Sequence, residues 1–251
     1  MKKIKNKEGI KYLKIDWYSK EKLPKELCEF TNLNTLIIWN SSVKEIPIRI
    51  TVLRNLSHLE VVACLIDSIT TKISHLSLLE KVVISNNPKL KEIPETIWNL
   101  KNLKVLDLSY NINLELKYLN HLPSVERLNL NGISSLTDLP QGIENYYNLE
   151  SLSIGSLNID YNKELLRLKE LYSLSYLNIA YSKLNSFPES LFELFQLEEI
   201  IARGNNFSSF PDSFRKISGL KLLDLALNET KIKHSERNKL KSMIPICEIN
   251  W

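Results

Sequence analysis

Apolar residues recur along this chain as apolar, two variable, apolar, one variable, apolar, as in Leu103-Lys-Val-Leu106-Asp-Leu108. The pattern begins at Ile10, Leu33, Leu56, Leu79, Leu103, Val125, Leu149, Leu174, Leu197 and Leu220, at intervals of 23, 23, 23, 24, 22, 24, 25, 23 and 23 residues. Self-similarity at a period of about 20–30 residues marks a solenoid, whose stacked units share one core. Alternation around the last two apolar residues of each unit predicts a short strand with one buried face. About 17 residues then return the chain to the next equivalent strand, which makes neighbouring strands parallel. The expected fold class is α/β: a concave parallel sheet of about ten strands, with short helices or 3₁₀ turns on the convex side.

The second half of each unit turns the chain. Six units carry an apolar residue followed by proline near mid-repeat, at Pro24, Pro47, Pro94, Pro140, Pro188 and Pro211. Proline fixes φ and lacks a donor, so it ends extended structure and suits the first turn of a short helix. Apolar pairs spaced by three, such as Ile97 and Leu100 or Leu191 and Leu194, give that helix its inward face. Repeats 3, 5, 7 and 10 lack the proline, so their outer segments are expected to differ.

The pattern LxxLxLxxN stands intact in Leu103–Asn111 and Leu220–Asn228, and with these residues the chain resembles the leucine-rich repeat family. LNLNGISSLTDLP (128–140) is similar to the repeats of plant intracellular immune receptors, and LNSFPESLFEL (184–194) to bacterial and Ras-group intracellular types. The resemblance runs from Ile10 to the C-terminus. It implies a horseshoe solenoid and recognition of another protein on the concave face. The family places asparagine at the ninth repeat position, where an amide satisfies backbone groups that no strand ladder reaches. Asn87, Asn111, Asn205 and Asn228 fit, and Ser41, Cys64 and Ser182 are partial substitutes. Tyr18, Ile133 and Leu157 are not, and repeats 6 and 7 have irregular lengths, so a locally distorted ladder is expected there.

One repeat domain over residues 1–251 is expected, with repeats over 10–228, a weak N-terminal cap over 1–9 whose only apolar residue is Ile4, and a C-terminal cap over 229–251. In that last cap Ser235 would N-cap a helix to about Met243, with Leu240, Met243 and Ile244 inward, Pro245 ending it and an edge strand through Ile249 following.

Composition narrows the function classes. No run of 18 apolar residues exists, so no membrane span is expected, and the lysines at the start have no apolar stretch behind them as a signal peptide would. Three cysteines, Cys28, Cys64 and Cys247, form no cysteine-rich cap, which favours a reducing, cytoplasmic setting. The N-x-S/T sites at Asn40, Asn55, Asn206 and Asn228 are then chance matches. Residues 1–25 hold nine lysines against Glu8, Asp16 and Glu21, so the rest of the chain carries about −2 of the net +4. A solvated terminus is the plain reading of those lysines; binding of nucleic acid or an acidic surface is the alternative.

No phosphate-binding glycine loop, zinc-protease motif, nucleophile elbow or paired CxxC motif occurs. His58, His75, His121 and His234 lie in different repeats, and Asp107 and Asp224 share a strand position five repeats apart. At ~4.8 Å per strand they cannot form a carboxylate pair. A non-enzymatic monomer with no cofactor or metal is expected, binding a protein partner and no small-molecule substrate.

Function should therefore be written on the concave face, at repeat positions 3, 5, 7 and 8. Its first four rows are apolar and aromatic, with Tyr12, Trp17, Ile37, Trp39, Val62 and Val83 expected to form a contiguous patch. Exposed clusters of this kind mark binding hot spots. The competing reading has Trp17 and Trp39 folding back over the N-terminal core as a cap. Further along, Tyr110, Tyr176, Tyr181 and Arg203 complete the candidate partner-binding set.

Overall fold

The computed structural model describes residues 6–120, 122–228 and 232–251. Ile4, His121 and the lysines at 2, 3 and 5 lie outside the described residues. Each predicted strand forms: β1 (Tyr12–Asp16), β2 (Thr35–Trp39), β3 (His58–Val62), β4 (Lys81–Ser85), β5 (Val105–Asp107), β6 (Arg127–Asn129), β7 (Ser151–Ser153), β8 (Tyr176–Asn178), β9 (Glu199–Ile201) and β10 (Leu222–Asp224). With β11 (Glu248–Asn250) they make one 11-stranded parallel sheet in chain order. Equivalent residues pair throughout, for example Leu36 with Leu59 and Leu59 with Val82. The apolar positions 4 and 6 of successive repeats thus stack into one core that runs the length of the solenoid.

An Asp or Asn at the fifth repeat position goes with a short strand, although β7 and β9, with Ser153 and Ile201 there, also stop after three residues. In β1–β4 this position is Lys14, Ile37, Glu60 or Val83, and the strand runs for five residues. In β5, β6, β8 and β10 it is Asp107, Asn129, Asn178 or Asp224, and the strand stops after three. The side-chain oxygen of each accepts the backbone N–H two residues on, at 2.9–3.1 Å. Such local Asx bonds offer the backbone an alternative to continued strand.

The outer segments follow the prolines. Pro24, Pro47, Pro94, Pro188 and Pro211 each immediately precede a five-residue 3₁₀ helix: Lys25–Glu29, Ile48–Val52, Glu95–Asn99, Glu189–Glu193 and Asp212–Lys216. Proline sits one place outside the helix, with φ between −61° and −81° and extended ψ. From there its carbonyl accepts the N–H three residues on, and that residue (Leu27, Ile50, Ile97, Leu191, Phe214) is buried. Pro140 differs, because Gln141 pairs with Tyr118 as a parallel bridge and helix waits until Ile143–Asn145. Repeats without the proline differ as expected: a three-residue 3₁₀ turn (Ile73–His75), no helix between Leu108 and Asn120, and two α-helices, α1 (Tyr161–Leu166) and α2 (His234–Met243).

The two α-helices dock by one device. Glu164 Oε2 accepts the Leu139 N–H (3.0 Å) while Arg167 donates to the Leu139 carbonyl (2.8 Å). Glu236 Oε2 accepts the Phe210 N–H (3.1 Å) while Lys239 donates to the Phe210 carbonyl (2.8 Å). In both, an acid and a base three residues apart clamp the peptide groups of the residue before a proline in the preceding repeat. Lys163 Nζ stands 3.3 Å from Glu164 Oε1, near enough for attraction but not aligned as a hydrogen bond. In α2 Leu240, Met243 and Ile244 are buried as predicted, but Lys233 occupies the N-cap place and Ser235 lies inside the helix.

The expected asparagine ladder is present. Asn111 Oδ1 accepts the Asn87 N–H, and its amide donates to the Ile84 and Leu108 carbonyls. Asn87, Asn205 and Asn228 do the same in their repeats. The Ser41 hydroxyl likewise accepts the Tyr18 N–H and donates to the Trp39 carbonyl, while Cys64 Sγ donates to the Ile38 and Val62 carbonyls. Through repeats 6 and 7 the strand register holds without a break, so the irregular lengths do not disturb the strands, while the amide ladder is interrupted at Ile133 and Leu157. Ile133 and Leu157 simply join the core, and Tyr161 of α1 reaches in, donating to the Ile154 carbonyl at 2.6 Å and meeting Ser182 Oγ at 2.7 Å. A hydroxyl from the outer face thus replaces the missing amide. Burial pushes the Tyr161 hydroxyl above its ordinary range, so it stays a donor.

Candidate binding surface

Bulkier outer segments against strands ~4.8 Å apart bend the sheet inward, so its open side is concave. The pairing register orders that face into rows. Position 5 reads Lys14, Ile37, Glu60, Val83, and position 7 reads Asp16, Trp39, Val62, Ser85. Trp17 is 71% exposed and Tyr12 56%. Trp17 meets Trp39 edge-on, with ring centroids 6.4 Å apart and an interplanar angle of 73°. The two tryptophans therefore pack on each other in solvent rather than folding down over the core. Lys14 Nζ lies 4.6 Å from the Trp39 ring centroid and 3.2 Å from Asp16. Glu60, paired with Lys81 at 2.6 Å, stands between Ile37 and Val83. The apolar ground is thus Trp17, Trp39, Ile37 and Val62, with Val83 beyond an ion pair and Tyr12 at the far end of β1.

Position 8, at or beyond the end of each strand, is in left-handed backbone. Trp17, Asn40, Ala63, Asn86, Tyr110, Gly132, Ser156, Tyr181, Gly204 and Leu227 all have φ between 49° and 65°. Only two of the ten are glycine, the residue that takes this conformation without strain. A Cβ on Gly132 would lie 2.6 Å from the Tyr110 ring, and one on Gly204 would lie 2.3 Å from the Tyr181 ring. Each glycine is therefore a shelf on which the tyrosine of the preceding repeat lies. Between the two shelves the face is lined by small residues, leaving a pocket of about 340 Å³ bounded by Tyr110, Asn131, Ser156, Tyr176, Asn178, Tyr181 and Arg203. Arg203 holds the buried Asp224 through Nε (2.8 Å) and Nη2 (2.6 Å). Burial, foremost, raises the Tyr176 hydroxyl above its usual range, which keeps it neutral.

No protein-family model matches the chain. Adenylate cyclase of Schizosaccharomyces pombe is 25% identical, the match covering 88% of this chain and 15% of that protein. Leucine-rich repeat and calponin homology domain-containing protein 1 of Mus musculus is 36% identical over 35% of this chain and 12% of its own length. Among solved structures, the mouse RP105/MD-1 complex superposes with a TM-score of 0.71 at 20% identity, covering 96% of this chain and 42% of that one. Ten in-register repeats, four of them with a ninth-position amide, form a leucine-rich repeat solenoid. The chain is a leucine-rich repeat protein. It spans less than a third of the length of the curated relatives it matches. Leucine-rich repeat proteins generally act as scaffolds for protein interactions.

The leucine-rich repeat frame separates the predicted residues into two groups. Trp17, Trp39, Ile37 and Val62 share one patch, while Tyr110, Tyr176, Tyr181 and Arg203 share the central pocket. Not every variable position is free: Ser85, Ser109, Ala180 and Asp224, expected to face outward, are buried on the floor beneath larger neighbours. Of the N-terminal lysines, Lys7 pairs with Glu29 and Lys14 with Asp16, while Lys20, Lys22 and Lys25 line a separate cleft of about 720 Å³. His58 Nδ1 meets Ser57 Oγ at 2.8 Å. Among the described residues no group of three His, Cys, Asp or Glu side chains could hold a metal ion, and no helix is long and apolar enough to cross a membrane.

Sequence reasoning missed a second amide ladder. Asn32, Asn55, Asn102, Asn148 and Gln196, each just before a repeat's first apolar residue, donate to a carbonyl of the preceding repeat at 2.7–3.1 Å. Its sequence signal is a recurring Asn or Gln just before a repeat's first apolar residue.

Proposed function

We propose that this chain is a non-catalytic recognition module that holds a partner protein on its concave face, led by the N-terminal aromatic patch. The observation that carries this reading is the exposed Trp17–Trp39 pair on the strand ends, flanked by acids and bases already paired with each other. Large rings held in one geometry, with neighbouring charges neutralised, can be desolvated at low cost, as interface hot spots require. The pocket between Tyr110 and Tyr181 would take a side chain of the same partner. The mouse fold neighbour was itself crystallised as a complex, RP105 with MD-1. Ten strands at ~4.8 Å span roughly 45 Å, room for a standard interface.

The test begins with affinity purification from the source cell, with the captured protein identified by mass spectrometry. Replacing Trp39 and Ile37 together by alanine should lower capture of that partner by about thirtyfold, the scale of a ~2 kcal/mol hot spot. Neither side chain is in the core, so circular dichroism should not change. Undiminished capture by the double variant defeats the N-terminal reading.

A further inference from the structure

A second apolar surface lies off the concave face. Tyr147, Tyr172 and Phe195 are 57%, 73% and 57% exposed. Each precedes by four residues one member of the paired set Ser151, Tyr176 and Glu199. Each also sits in the same two-residue turn leading into its strand. The three rings therefore form a row along one edge of the sheet, one ring per repeat. At this place the other seven repeats carry Glu8, Thr31, Arg54, Ser77, Lys101, Pro123 and Ser218, none of them aromatic or aliphatic. An aromatic row in three consecutive repeats, with polar or small residues or proline in the rest, is not scatter of single surface apolar residues.

The surroundings of the row are acidic. Glu150, Glu170, Glu193 and Glu198 lie within two residues of its three turns, and no base does. Lys216 and Lys221 of the next repeats pair with Glu193 and Glu198 at 3.0 and 2.8 Å. The Tyr172 hydroxyl donates to Glu170 Oε2, which fixes that ring. Glu150 and Glu199 have no cationic partner among the described residues.

Spacing decides the form of the occupant. The sheet sets the row's step at ~4.8 Å per repeat. A helix laid along the row brings a side chain onto one face every turn, ~5.4 Å, and drifts by only about 1 Å over two steps. An extended segment presents same-face side chains every ~6.6 Å and drifts by about 4 Å. We infer that the Tyr147–Tyr172–Phe195 row is a docking edge for a basic amphipathic helix of a partner protein, whose apolar residues meet the rings and whose lysines or arginines meet Glu150 and Glu170. This edge is separate from the concave patch, and its use does not depend on that patch.

The test uses two labelled 18-residue helical peptides with leucine at one-turn spacing, one flanked by lysines and one by glutamates, read by fluorescence anisotropy. The lysine peptide should bind the wild-type chain at least tenfold tighter than the glutamate peptide. Tyr147→Ser/Tyr172→Ser/Phe195→Ser should lose at least tenfold of that binding while keeping its circular dichroism, and Tyr172→Ser alone should lose part of it. Glu150→Lys/Glu170→Lys should reverse the peptide preference. Trp39→Ala/Ile37→Ala should bind the lysine peptide as wild type does, which separates this edge from the concave face. The proposal is overturned if the peptides bind equally or not at all, or if the triple variant binds unchanged. It is also overturned if the row instead drives self-association in gel filtration or adsorption to phosphatidylcholine or phosphatidylserine vesicles.

Discussion

Single residues fix the backbone at two kinds of glycine. Gly204 has φ +65° and would place a Cβ 2.3 Å from a Tyr181 ring atom, but that ring is the free end of a side chain. Gly142 has φ +93° and would place a Cβ 2.4 Å from the Leu119 carbonyl oxygen, which is backbone held by its repeat. Gly204→Ala should therefore cost about 1 kcal/mol, and Gly142→Ala about 2–3 kcal/mol, because there the backbone itself has to shift. Urea unfolding of both variants checks the order; equal losses would show that strain at φ, not the contact, sets the cost. Two of the thiols are disfavoured as thiolates: burial pushes the Cys64 thiol up, and burial with Glu248 nearby pushes Cys247 to about 11.

At the scale of elements, the clamp that seats α1 is also electrostatic. Burial pushes the Glu144 carboxyl up, but hydrogen bonds from its own backbone and from Arg167 at 2.8 Å outweigh this and hold it below the ordinary carboxylate range. A depressed carboxyl stabilises the fold above the unfolded-state pKa and loses that contribution as pH falls through the lower folded value. Stability should thus decline as pH drops below the ordinary carboxylate range, and Glu144→Gln should make this acid limb shallower. The side chain is 44% exposed, so solvent screening keeps the effect small. Thermal melts of the two proteins from pH 6 to pH 3 read it, and parallel acid limbs would remove Glu144 from the account. Glu164 and Glu236 show why these helices occur where they do, since each supplies an acceptor to a peptide N–H that a 3₁₀ segment leaves to others.

Across the whole molecule, each repeat contacts only its neighbours, so damage should spread along the stack rather than everywhere at once. The C-terminal repeats are knit by aromatic rings: Phe187 stacks on Phe207 at 4.0 Å and meets Phe214 edge-on at 4.9 Å, and Phe210 meets Trp251 at 6.2 Å. Phe187→Ala should cost about 3–5 kcal/mol. Amide exchange should quicken in β8–β11 well before β2–β4; uniform quickening would mean the solenoid opens as one unit.

The sequence alone determined the repeat, its strands, the ninth-position amides and the turn-starting prolines. Each of these depends on residues near one another in the chain, and ten repetitions lift the signal above chance. The strand shortening at Asp107, Asn129, Asn178 and Asp224 was equally local and could have been read from the same rows. Tertiary structure decided the rest. Only stacking shows that Glu60 interrupts the apolar patch, that Trp17 rests on Trp39 rather than the core, and that Tyr161 replaces a missing amide from the outer face. The Tyr–Gly shelves and the Tyr147–Tyr172–Phe195 row likewise exist only between repeats. The reason is physical: residues about 23 positions apart become neighbours once the strands pair, and a side chain's exposure depends on what the next repeat sets beside it.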